Sequence, residues 1–253
     1  MESNQIGTIA IALVLILGFT GVLLLDPIAQ DTEYHLFKDQ RTYLGIPNFW
    51  NVVSNFPFLL VGCMGIYSLF HSHRMRIAIE LKTAYTLFFL GVTFVAFGSA
   101  YYHLWPSNNS LVWDRLPMTI AFMSLFSIVI GEFTSIHIGK RLLLPLIIFG
   151  VFSVIYWYIT ERNDAGDLRL YILVQFLPVL VIPIFLLFFK PLFTNIRGYW
   201  FLIIAYVAAK VFEHFDAIIY NVLVLFSGHS IKHVVAALGV YFLVMAYNNR
   251  ELV

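Results

Sequence analysis

Charge is scarce in this chain. Lys, Arg, Asp and Glu make up 11% of its 253 residues, where soluble domains run near 25%. Hydrophobic residues make up 60% and the mean hydropathy is +0.85, so the sequence cannot cover a folded domain with a water-facing surface. Cysteine is nearly absent: Cys63 stands alone in an apolar segment, which excludes a disulfide framework and leaves the redox compartment unread. No basic block occurs and the net charge is +1, which argues against nucleic acid as a partner. The chain has no internal repeat and no linker long enough to separate one domain from another. What recurs instead are apolar runs of about 20 residues, the length that crosses a bilayer core.

These runs predict an all-α, polytopic transmembrane bundle. Eight spans are expected, at about 6–25, 49–70, 81–103, 114–131, 142–159, 168–189, 198–219 and 229–247. The first is read as an anchor; a cleaved signal peptide is its rival, but no positive charge precedes it and no A-x-A site follows. The organisation is therefore an extra N-terminal span (1–25), a polar interfacial segment (26–48) and a seven-span core (49–253). Lys and Arg concentrate in cytoplasmic loops. One side carries Arg74, Arg76, Lys82, Lys140, Arg141, Lys190, Arg197 and Arg250, and the other Lys38, Arg41, Arg115, Arg162 and Arg169 among more acids. The basic side is assigned to the cytoplasm, with both termini.

The chemistry gathers at the opposite, extracytoplasmic end. Ser99 and His103 are four apart, so on a helix they share a face. Asp114 follows at the head of the next span, with Asn109 or Ser110 as the expected cap. His229 and His233 repeat the spacing of four at the head of the last span. Topology alone brings His103, Asp114, His229 and His233 to one level of the membrane. Taken singly, each has an ordinary reading. Ser99 beside Gly98 would be a helix-packing residue, Asp114 a carboxylate favoured by the helix dipole, and a lone histidine an interfacial side chain, as assigned to His35, His71, His73, His137 and His214. Lys210, Glu213, Asp216 and Lys232 would pair with one another or reach the interface. As a set, however, three histidines with a serine and an aspartate read as a metal site, because such residues seldom enter spans without function.

The order Ser-x3-His, then Asp after ten intervening residues, then a distant His-x3-His resembles the alkaline ceramidases. These share a seven-span superfamily of hydrolases with the adiponectin-receptor-like proteins. The stretch Pro47-Asn48-Phe49-Trp50-Asn51-Val52-Val53-Ser54-Asn55 is similar to the segment leading into the first core span of the ceramidase branch. The resemblance implies zinc held by His103, His229 and His233, with a fourth position left for water, as in catalytic sites. It implies Asp114 as the general base and acid and Ser99 as a donor to the developing oxyanion. The implied reaction is hydrolysis of the amide of a ceramide-like N-acyl lipid, a sphingolipid-type substrate drawn from the membrane.

One departure concerns calcium, which the eukaryotic members bind through acids before the first core span. Here Asn48 stands at the last of those positions, and Asp39 with Asn48 is a thin oxygen set. Calcium is not expected, and ceramide itself is open to doubt as the natural substrate. Two other readings remain at this stage: a zinc-containing sensor of the adiponectin-receptor type, whose metal site would be closed, and a transporter, which would spread polar residues along several mid-span positions.

Overall fold

The computed structural model describes residues 3–71 and 74–253; His73 lies outside the described residues. The chain is an all-α bundle, and among the described residues seven helices are long and apolar enough to cross a membrane. They are α1 (Ser3–Leu24), the pair α2 (Phe49–Val53) and α3 (Phe56–Phe70) taken together, α4 (Lys82–Leu104), α5 (Asn108–Phe133), α6 (Ile136–Arg162), α7 (Arg169–Phe188) and α10 (Gly228–Asn248). The chain is an integral, multi-pass membrane protein. Large apolar side chains exposed along its helices, such as Leu17, Leu24, Leu60, Leu144, Leu187 and Ile204, face the hydrocarbon that stabilises them there.

The expected span at 198–219 differs. Its residues form α8 (Arg197–His214) and the short α9 (Asp216–Leu223), with a break at Phe215. Arg197, Lys210 and Glu213 on α8 dilute its apolar character. Two of those charges face inward, into a chamber described below. A second difference lies at α5. It starts at Asn108, six residues before Asp114, because the Ser107 hydroxyl accepts from the Ser110 amide at 3.2 Å and caps the helix. The polar run 108–110, a loop by its sequence, is the first turn. Asp114 therefore sits in the second turn, where the dipole account of a helix-start carboxylate weakens.

Core packing places the site. Helices α4 and α5 approach closely at Gly98, where a Cβ would overlap the Trp113 carbonyl oxygen; only glycine lets the backbones meet there. Ser99 and Asp114 are the next residues on each side of that contact. The extra helix α1 lies at the edge against α7, with Gly7 against Phe188 and Phe189 and Gly18 against Leu173. Residues 26–48 form a strap across the end of the bundle that carries the histidines.

The other end is closed by a buried polar knot. Arg250, 3% exposed, donates from Nη1 and Nη2 to the two oxygens of Glu132 at 2.9 and 2.7 Å. It also reaches the Tyr85 hydroxyl and the Arg76 carbonyl oxygen. Tyr199 donates to Glu132 at 2.7 Å, Tyr85 donates to it as well, and Phe193 and Tyr247 flank the guanidinium at 4.1 Å each. The sequence places Arg250 among the exposed loop charges. It is instead a buried clamp joining the C-terminal residues to α5.

Candidate metal centre

His103 is one residue from the end of α4, and His229 and His233 occupy the first two turns of α10. Their spacing of four turns both α10 rings to one face, and α4 brings His103 against them. Ring centroids lie 4.9 Å apart for His103 and His229, 5.0 Å for His103 and His233, and 5.2 Å for His229 and His233. One ring nitrogen from each can be chosen so that all three lie within 4.8 Å of one another. All three side chains are buried, at 1, 6 and 6% exposure.

The surroundings suit a metal. His103 Nδ1 and His229 Nε2 are buried without a hydrogen-bond partner, a costly state for polar atoms unless a ligand satisfies them. His233 Nδ1 lies 2.8 Å from Ser54 Oγ. Ser54 directs its own proton to the Asn51 carbonyl oxygen at 3.1 Å, so it accepts from His233 Nδ1–H and leaves Nε2 with a free lone pair. Such partners orient ligating imidazoles and fix their tautomer. The Asp216 carboxylate accepts from the His229 amide at 2.8 Å and anchors the start of α10. Three neutral imidazoles form a donor set appropriate to zinc, and the residues present fit that ion.

The strap covers the cluster. Phe37 sets its ring edge-on to His103 at 4.7 Å and against His229 at 5.0 Å. Asn48 donates from Nδ2 to the His103 carbonyl oxygen at 2.8 Å, and Asp39 pairs with Arg41 at 2.7 Å. Asn51, fully buried, donates to the Asp39 carbonyl oxygen and accepts from Ser230 at 2.8 Å, tying strap to α10. His35, by sequence an ordinary interfacial histidine, contacts the Tyr102 hydroxyl at 2.9 Å and Asn108 Oδ1 at 3.0 Å.

Ser99 and Asp114 stand beside the histidines at the mouth of a chamber of about 340 Å³ inside the bundle. Ser99 lies within hydrogen-bonding reach of the Asp114 carboxylate. Both line the chamber with His233, and the wall deepens through Phe88, Val92, Ile182 and Val240 to Tyr199. Tyr199 and Glu213, both on α8 and both in the wall, are about 21 Å apart along the helix at 1.5 Å per residue. The chamber is therefore long and narrow, polar at the histidine end and apolar below. At the polar end Glu213 accepts from Lys210 at 2.8 Å and Lys232 at 2.5 Å, the pairing expected from the sequence. Tyr34 of the strap reaches Glu213 at 3.4 Å.

Phe37, Ser54 and the burial of Arg115 do not emerge from the sequence. Ser54 and Asn51 fall within the stretch 47–55 that carries the family resemblance, but nothing local says that they face α10. Arg115 has the sequence context of a loop charge and is 6% exposed in the chamber wall.

A helical membrane protein with three clustered, buried imidazoles, one of which (His233) lines an adjoining chamber, is thus defined by its geometry. The family model for ceramidase matches residues 42–251, and the chain belongs to the ceramidase family, making it a membrane hydrolase acting on amide bonds. No curated protein matches the chain. The matched region spans the strap's end through α10 and leaves α1 outside it.

Proposed function

We propose that the protein is a zinc-dependent amidase that cleaves the amide of a ceramide-like N-acyl lipid, releasing a fatty acid and an amine. The observation that carries this reading is the packing of three buried imidazoles beside a chamber that His233, Ser99 and Asp114 line at its polar end and apolar side chains line below. His103, His229 and His233 would hold the ion. Zinc bound by three protein ligands supplies a Lewis acid with one open position and lowers the pKa of water toward about 7.

The chain's own residues account for the rest. The apolar wall takes the acyl chain and leaves the amide carbonyl at the polar mouth, where Phe37 and the strap keep bulk water out. Asp114 accepts a proton from the attacking water and returns it to the amine nitrogen as the C–N bond breaks. The Ser99 hydroxyl, beside Asp114 in the chamber wall, is a rotor that turns to the carbonyl oxygen as charge develops there. Asp114 and Ser99 thus act as one unit, and Gly98 makes their approach possible. Within this reading, 49–253 is the catalytic core, 26–48 its cover and 1–25 an added span. The Lys/Arg bias puts both termini in the cytoplasm and the site at the extracytoplasmic face. A reporter after Val253 tests that orientation, and an extracytoplasmic signal there would reverse it.

Metal content tests the centre. The purified wild type is expected to carry about one zinc per chain, and the His229→Ala, His233→Ala double variant to lose it while keeping its helical signal. Full zinc retention in the folded double variant would remove the three-histidine site.

A further inference from the structure

The chamber wall contains a positive charge that has no ion-pair partner among the described residues. Arg115 lies on α5 beside Asp114, is 6% exposed and lines the chamber. Its polar neighbours are neutral: Nη2 donates to Gln30 Oε1 at 2.6 Å, and the Tyr171 hydroxyl stands near. The rings of Trp157 and Tyr171 flank it at 4.1 and 4.5 Å. Among the described residues no carboxylate comes within ion-pair distance of it, and Nη1 has no hydrogen-bond partner. The other charges nearby do not answer it. Lys210 and Lys232 share Glu213, and Asp114 makes no ion pair with Arg115.

A buried guanidinium without an anion is expensive, because desolvation is not offset by a paired charge. Ring contacts recover some of that cost. An unpartnered donor within a fixed fork is also the geometry that recognises carboxylate and phosphate oxygens. Among the charged side chains that line the chamber, Asp114, Glu213, Arg115, Lys210 and Lys232 leave an excess of one positive charge; the Glu161 carboxylate lies behind the wall, accepting from the Gln30 amide and Trp157 Nε1. A neutral lipid would leave that charge unsatisfied on binding; an anionic one would complete it.

We propose that Arg115 is an anion subsite of the lipid chamber and that the protein takes a lipid presenting an anionic oxygen next to the scissile amide. The inference rests on reading the chamber as the lipid site. The anionic oxygen has two sources: a carboxylate or phosphate on the amine portion of the substrate, or the carboxylate of the fatty acid that hydrolysis releases. Arg115 lines the same chamber as Asp114 and can meet either.

The test begins with equilibrium binding to the full-length protein in neutral detergent, which needs no turnover. A fatty acid and the fatty alcohol of equal length are compared in wild type, Arg115→Gln, Arg115→Lys, Gln30→Ala and His103→Ala. The wild type is expected to prefer the acid by about tenfold or more, the scale of a charged hydrogen bond. The preference should vanish in Arg115→Gln, survive at a reduced level in Arg115→Lys, and persist in Gln30→Ala and His103→Ala. Persistence in folded Arg115→Gln, or loss in Gln30→Ala or His103→Ala to the same degree, overturns the proposal, since strap docking or the metal would then carry the preference. The source is decided kinetically, with N-acylglycine set against N-acylethanolamine of the same acyl length. A KM rise in Arg115→Gln confined to N-acylglycine assigns the site to the amine portion. Relief of inhibition by added fatty acid with both substrates assigns it to the product. If neither lipid is hydrolysed, the binding result still decides Arg115, and the amidase reading is judged on ceramide itself.

Discussion

Asp114→Asn is expected to keep its zinc and its thermal midpoint and to lose N-acyl lipid turnover by roughly 10²–10⁴-fold, the usual contribution of general acid–base catalysis. The substitution preserves size and shape but removes the proton acceptor. Asp114 lies in the second turn of α5, in the chamber wall and within reach of Ser99; it is not one of the three residues whose ring nitrogens cluster. A structural carboxylate there would behave oppositely: Asn would lower stability and leave each folded molecule as active as before. Ser99→Ala is the companion variant, expected to lose about 10²–10³-fold, the effect of deleting one oxyanion donor. Because the two side chains act together, the double variant should lose less than the product of the single losses. Zinc content, midpoint and turnover measured on one preparation of each variant decide the matter. Equal turnover per zinc-loaded Asp114→Asn molecule would remove the proton-shuttle role.

The second large effect is on stability and lies at the far end of the bundle. Arg250→Ala should destabilise by about 3–5 kcal/mol, the range for removing one partner of a buried ion pair. The reason is what it leaves behind: Glu132, with its side chain 1% exposed, would face tyrosine hydroxyls and no cation. Removing both charges is expected to be far milder, because a packed apolar pair of similar volume avoids the desolvation cost altogether. Unfolding of Arg250→Ala against Glu132→Leu, Arg250→Met measures the difference. A loss under about 1 kcal/mol in Arg250→Ala would mean that the Tyr85 and Tyr199 hydroxyls hold Glu132 unaided.

Much of this architecture is local and therefore readable from sequence. A spacing of four puts Ser99 over His103 and His229 over His233 on any helix, and span order alone brings those heads and ends to one level. The helix positions follow from apolar runs, since backbone polar groups within a bilayer must be satisfied inside each segment. What escapes is contact between elements. Arg115 and Arg250 look like loop charges because each stands near a span end, yet the rings of Trp157, Tyr171, Phe193 and Tyr247 come to cover them. The start of α5 escapes too, because Asn108, Asn109 and Ser110 are as good in a capped first turn as in a loop. Helix α8 is a poor span because Lys210 and Glu213 are chamber-facing charges within it. Phe37 carries no motif at all; its position over the histidines follows from how residues 26–48 fold back across the bundle.

The central claim is that hydrolysis depends on a metal held by His103, His229 and His233. The most direct measurement is N-acyl lipid turnover by the purified wild type before chelation, after chelation with metal loss verified, and after zinc is added back. Turnover should fall to background with the metal and return with zinc, while the His229→Ala, His233→Ala variant stays inactive at every stage. Undiminished turnover by metal-free protein would contradict the account.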